Sequence, residues 1–97
     1  MSIDPSTAGQ RAAAWLASTG QGAWLHVDLD VLDPRSLSAV TYPQRGGLDW
    51  DQFAAVLEPL AQSPQLLGLS LADFRPDLDP TGEFARRVLD VLERTLP

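Results

Sequence analysis

Two aspartates at alternate positions interrupt an apolar run in the segment WLHVDLDVLDP, residues 24–34, where His26, Asp28 and Asp30 alternate with Leu25, Val27, Leu29 and Val31. On an extended strand, positions i and i+2 project to the same side, about 7 Å apart at a rise of ~3.3 Å per residue. Carboxylates so placed repel each other unless a cation lies between them, and burial beside valine and leucine raises the cost of charging them. The apolar run continues through Val31 and Leu32, beyond both aspartates, which argues against a frayed, solvated turn. The chemistry open to such a pair is divalent-cation binding or, with Asp28 as nucleophile, phosphoryl transfer. A third aspartate, Asp73, ends the second apolar run, LLGLSLADF at 66–74. Asp33 precedes Pro34 and suits a turn cap, while His26 lies further back on the strand and suits a core position or a support behind the carboxylates.

Composition narrows the options. The formal net charge is −6, which excludes the basic stripe that phosphate-backbone binding needs and favours cations as ligands. There is no cysteine, and all seven basic residues are arginine. Thiolate sites, thiol nucleophiles, Schiff-base chemistry and a phosphate-loop lysine are therefore absent from these residues. With a single histidine, a three-histidine zinc site cannot form within the chain. No apolar run approaches the 18 or more residues of a membrane span, and the N-terminal MSIDPSTAGQR lacks the basic-then-apolar order of a signal peptide. A soluble, cytoplasmic protein is expected.

The elements that must hold these carboxylates follow from periodicity. A first helix is expected from about Ser6 to Thr19, with Ala12, Trp15, Leu16 and Thr19 at helical spacing and Gly20 as a left-handed stop. A strand over AWLHVDLDV, residues 23–31, follows, ended by Asp33-Pro34. Asp49 and Gln52 form a capping box for a second helix whose stripe is Phe53, Val56, Leu57 and Leu60. The second strand is apolar on both faces, as in a parallel sheet covered on both sides. Asp79 as N-cap and Pro80 at the first helical position open a last helix, with Phe84, Val88, Val91, Leu92 and Leu96 inward. The fold class is thus α/β, helix–strand–helix–strand–helix. Right-handed crossover makes the strands parallel and brings Asp28, Asp30 and Asp73 to one rim, where open α/β sheets bind ligands. Two strands make a very small sheet, so residues 1–97 read as one partial domain, completed by a missing N-terminal half or by another copy in a homo-oligomer.

Three ordered motifs are similar to the C-terminal part of the arginase–agmatinase (ureohydrolase) family. Asp28, Asp30, Asp33 and Pro34 match an Asp-X-Asp-X-X-Asp-Pro signature; Pro43, Gly46, Gly47 and Leu48 match a Pro-X-X-Gly-Gly-Leu element; and DFRP at 73–76 approximates a Glu-X-X-Pro-like stretch. The resemblance runs over about residues 23–96. It implies the C-terminal portion of a three-layer α/β/α fold. It also implies two manganese ions that activate water for attack on the guanidinium or amidine carbon of a small cationic substrate. By the same match Asp28 would bridge the ions, Asp30 would ligate one, and Asp73 would stand where the family usually keeps a longer glutamate to hold the cationic substrate. Earlier histidine- and aspartate-containing motifs of that family do not occur in this sequence, so the chain alone is expected to be inactive. Two other readings are a non-catalytic oligomerising or binding module derived from the family, and a haloacid-dehalogenase-like phosphotransferase, which the absence of lysine disfavours. An EF-hand starting at Asp28 fails, because Asp33 and Ala39 occupy its glycine and glutamate positions.

Overall fold

A computed structural model describes residues 4–97. Helix α1 spans Pro5–Thr19, strand β1 Ala23–Asp28, helix α2 Trp50–Ala61, strand β2 Leu66–Ala72 and helix α3 Glu83–Thr95. The expected order and the parallel pairing are both present: β1 and β2 form a two-stranded parallel sheet with Leu25 opposite Leu69, His26 opposite Ser70 and Asp28 opposite Ala72. Both C-terminal strand ends therefore meet at one rim. Among the described residues no helix is long and apolar enough to cross a membrane.

Local chemistry explains most element ends. Asp4 accepts a hydrogen bond from the Thr7 amide and opens α1, while Gly20 closes it at φ 65°. The capping box at α2 is formed on both sides, Gln52 N to Asp49 Oδ1 at 2.8 Å and Asp49 N to Gln52 Oε1 at 3.0 Å. Helix α3 departs from expectation. Its N-cap is Gly82 at φ 74°, and Pro80 lies before it in a turn. Asp79 still satisfies the helix start from a distance, accepting from the amides of Phe84 at 3.1 Å and Ala85 at 3.0 Å. A carboxylate at a helix N-terminus matches orphan donors and dipole together, and here a turn inserted between cap and helix lets Asp79 reach two amides.

The core lies on one face of the sheet. Val27 and the partly buried Leu25 and Leu69 pack with Phe53, Ala54, Leu57 and Ala61 of α2 and Val88 and Val91 of α3. Leu32, Leu37, Ala39 and Val40, all from the connection after β1, are fully buried in the same cluster. The opposite face is open within this chain: Trp24 is 65 % exposed, and His26 beside it is exposed as well. Leu96, expected to face inward, is exposed at the end of α3; the buried position there is Thr95, whose hydroxyl donates to the Val91 carbonyl at 2.8 Å.

Helix α1 contacts the remainder through small residues rather than the spaced Trp15. Trp15 is 69 % exposed, whereas Gly9 is buried against α2. A Cβ at Gly9 would fall on the Val56 carbonyl, a backbone group that cannot turn aside. Gly9→Ala is therefore expected to destabilise the chain by about 1–3 kcal/mol, as overpacking does. That loss outweighs the ~1 kcal/mol gained from alanine's better helix propensity. Urea unfolding of the variant checks the sign.

Candidate metal centre at the strand rim

Strand β1 stops at Asp28, three residues earlier than alternation predicts, and Leu29–Val31 forms a short 3-10 turn. The cause is Asp28 itself. Its Oδ1 accepts from the Asp30 amide at 3.2 Å, an Asx-type capture that offers the backbone an alternative to the ladder. The turn buries Leu29 and leaves Val31 41 % exposed, so Asp30 reaches the rim by a turn rather than by strand alternation.

Asp73 approaches from the end of β2. It has φ 69°, the left-handed region that aspartate and asparagine tolerate better than most residues. Its Oδ1 accepts from the Thr41 amide at 3.2 Å, which ties the rim to the connection between β1 and α2. Carboxylate oxygens of Asp28, Asp30 and Asp73 lie within 4.8 Å of one another, and all three residues are half-buried. Burial foremost, then the hydrogen bond and negative charge of Asp28 and the charge of Asp73, push the Asp30 pKa above the ordinary carboxylate value. Among the described residues, the ion pairs join Arg35 to Asp33, Arg75 to Asp77 and Arg94 to Asp51. None supplies a cation to the trio.

Asp33 sits apart and serves the backbone. It is 5 % exposed, accepts from the Arg35 amide at 2.9 Å and Nε at 3.0 Å, and takes the Gly46 amide at 3.0 Å on its other oxygen. These bonds, led by the Arg35 side chain, lower its pKa to about 2. The loop they hold is itself laced to the segment after β1, with Asp33 N to Leu48 O at 2.8 Å and Leu48 N to Val31 O at 2.9 Å. Gly46 has φ 85°, and a Cβ at Gly47 would meet the Val31 carbonyl and the Asp33 amide nitrogen. The glycine pair therefore permits one backbone to lie against another.

A depressed pKa means stability that is present above the unfolded value of ~3.9 and lost as pH falls toward the folded value. Asp33→Asn is expected to lower the melting temperature at neutral pH. The gap to the unsubstituted chain should close between about pH 4 and pH 2. Melting curves across that range test it.

His26 is not a core residue. It lies on the uncovered sheet face because the helices pack on the other side; its Nδ1 is 2.9 Å from Ser70 Oγ, and Trp24 Nε1 donates to the same hydroxyl at 3.3 Å. It does not join the carboxylate trio. Sequence reasoning missed the Thr41 amide and Ser70. Ser70 had a signal as the single hydroxyl inside LLGLSLAD, but its partner depended on strand register.

The residues present suit a hard or borderline divalent cation. Oxygen donors bind such ions at about 2.0–2.6 Å, so three carboxylate oxygens within 4.8 Å can converge on one ion with small side-chain rotations. The trio supplies negative charge and oxygen, the donor set that magnesium, calcium or manganese prefers.

Comparison with known proteins agrees with the fold and with these motifs. The sequence model of the Arginase family matches residues 2–96. Formimidoylglutamase of Klebsiella pneumoniae is 36% identical over 63 residues, covering 65% of this chain and 20% of that protein. N(1)-aminopropylagmatine ureohydrolase of Thermus thermophilus is 29% identical over 69 residues, or 71% of this chain and 22% of its own length. The arginase of Bacillus caldovelox superposes with a TM-score of 0.82 at 24% identity, over 93% of this chain and 30% of that structure. The chain thus spans roughly a fifth to a third of the length of the relatives it matches.

Proposed function

The chain belongs to the arginase family, and from that premise we propose that it forms the C-terminal part of a manganese-dependent ureohydrolase site that cleaves a guanidino or amidino C–N bond. The observation that carries this reading is the convergence of Asp28, Asp30 and Asp73 at the rim of the parallel sheet. Asp28 and Asp30 hold manganese through their carboxylates. The chemistry that manganese would supply when bound is activation of water as a nucleophile at neutral pH. Asp28 also fixes the turn that presents Asp30. Asp33 stays ionised and keeps the loop at Gly46 folded beside the rim. The negative potential of three clustered carboxylates also favours approach of a cationic guanidinium or amidinium.

The remaining ligands come from residues outside these 97, because the chain's one histidine is bonded to Ser70 and does not join the trio. Alone the chain therefore binds manganese without hydrolysing substrate. The complementary part of the domain, or another copy of the chain, packs on the open sheet face around Trp24 and on the unpaired strand edges, since exposed edges and apolar patches call for cover.

Supplying the complementary part in trans is expected to restore manganese-dependent hydrolysis of a guanidino or amidino compound, read as release of urea or of the corresponding amide product. Assembly without hydrolysis across a panel of such compounds would sink the proposal.

A further inference from the structure

We propose that Asp77 keeps Arg75 off the carboxylate trio, so that the segment after β2 carries both a built-in competitor for the cation site and the restraint on that competitor. This rests on the cation-binding reading above, and it holds whether the cation is a metal ion or a substrate. The competitor is itself a guanidinium.

Arg75 stands midway between two carboxylates. It lies two residues after Asp73 and two before Asp77, and its guanidinium is bonded twice to Asp77, Nε to Oδ1 at 2.8 Å and Nη2 to Oδ2 at 2.6 Å. Cα atoms two residues apart are separated by about 7 Å at most, a span that an arginine side chain covers in either direction. The hydrogen bond and then the charge of Asp77 raise the Arg75 pKa above its ordinary value, and the charge of Asp73 adds to them, with burial acting the other way. Arg75 therefore already feels both partners.

Asp73 is open to the exchange. Its Oδ1 accepts from the Thr41 amide at 3.2 Å, and among the described residues no donor reaches Oδ2. Its carboxylate belongs to a group of three whose oxygens lie within 4.8 Å of one another, and such a concentration of negative charge attracts any guanidinium in reach.

The backbone is pinned while the side chain is not. The Arg75 amide donates to the Ala39 carbonyl at 2.7 Å, and its own carbonyl accepts from the Leu78 amide at 3.0 Å. Pro76, with its φ fixed by the ring, opens the 3-10 turn Pro76–Leu78 that presents Asp77. The turn thus sets where Asp77 stands. The paired side chains are 43 % and 57 % exposed, and ion pairs that exposed are weak. What holds the guanidinium on Asp77 is the two-bond fit to one carboxylate. Without that fit, Asp73 is the partner left to it.

The test is calorimetric titration of the 97-residue chain with manganese. Asp77→Asn frees Arg75 to compete at Asp73 and is expected to weaken binding about three- to tenfold. Asp51→Asn breaks the Arg94–Asp51 pair between α2 and α3; it removes the same charge and is expected to change binding less than about twofold. The double variant Arg75→Ala with Asp77→Asn is expected to bind as tightly as the unsubstituted chain, because the competitor is gone. A second measurement needs no metal: in Asp77→Asn, nuclear Overhauser contacts should join the Arg75 Hε proton to the Asp73 Hβ protons, contacts that the unsubstituted chain lacks. Unchanged affinity in Asp77→Asn, or a loss that persists in the double variant, overturns the proposal and leaves the cation site standing. If the unsubstituted chain binds no manganese, the metal-site reading falls, and the Overhauser contacts decide the proposal alone. Their appearance in Asp77→Asn sustains the restraint of Arg75 by Asp77, and their absence overturns it.

Discussion

Replacing Asp30 with asparagine is expected to weaken manganese binding by roughly 10–100-fold and, in the absence of metal, to raise the melting temperature. The two effects have one origin. Asp30 is half-buried beside two other carboxylates, and its pKa is raised by burial, then by the hydrogen bond and charge of Asp28 and by the charge of Asp73. A folded-state pKa above the unfolded value contributes stability that is complete at low pH and lost as pH rises through the folded pKa. At neutral pH the ionised side chain is therefore a net burden on the fold, which asparagine removes while keeping the backbone amide that Asp28 captures. A bound cation reverses the balance by neutralising the trio. Melting with and without manganese should show the variant above the unsubstituted chain when metal is absent and below it when metal is saturating. Such a crossing is the signature of a site held against local stability for the sake of a ligand. Parallel melting curves that never cross would mean that Asp30 is an ordinary surface carboxylate. Asp28→Asn should lose metal affinity to a similar degree, since its carboxylate oxygen lies within 4.8 Å of those of Asp30 and Asp73.

How much of this was readable in the sequence depended on whether the cause was local. The capping box of Asp49 and Gln52 is decided within four residues, and it appears as expected on both sides. The parallel strand pair followed from two apolar runs joined by a capped helix, because crossover handedness leaves little choice. The end of β1 was misplaced for a physical reason. Hydrophobic alternation continues to Val31, but the Asp28 side chain takes the Asp30 amide and turns the chain, and periodicity does not register a competing side-chain bond. Helix α3 was misplaced similarly: Asp79 does cap it, but across an intervening turn closed by Gly82. Least legible was the connection over residues 29–48. It carries proline, glycine and serine and reads as a loop, yet Leu32, Leu37, Ala39 and Val40 from it are among the most buried side chains. Their burial is set by long-range contacts with α2 and α3, which no local pattern contains. The core position expected for His26 is not observed, because helices cover only the Leu25 and Val27 face of the two-stranded sheet and leave the other open.

That buried connection links the core to the site, and Leu32→Ala is the substitution expected to break both. Leu32 has no exposed surface and sits between the turn that presents Asp30 and the carboxylate of Asp33. It also forms an isolated parallel bridge with Leu48, flanked by the bonds that join Val31 and Asp33 to Leu48. Truncating a fully buried leucine to alanine removes its transfer energy and leaves a cavity, about 2–5 kcal/mol in total. A domain of this size commonly has only 5–15 kcal/mol of net stability, so the loss takes a large share of the margin that keeps the chain folded. Leu89→Ala provides the comparison, because Leu89 is 59 % exposed and a surface change of this kind is usually within about 0.5 kcal/mol. Urea unfolding should therefore shift strongly for Leu32→Ala and hardly at all for Leu89→Ala. Metal binding sharpens the test. If the segment after β1 positions Asp30, then Leu32→Ala should bind manganese more weakly even at temperatures and protein concentrations where circular dichroism reports it folded, while Leu89→Ala binds normally. Equal metal affinity in folded Leu32→Ala would mean that the rim is held by the strands alone. In that case the buried connection contributes to stability and not to the placement of the carboxylates.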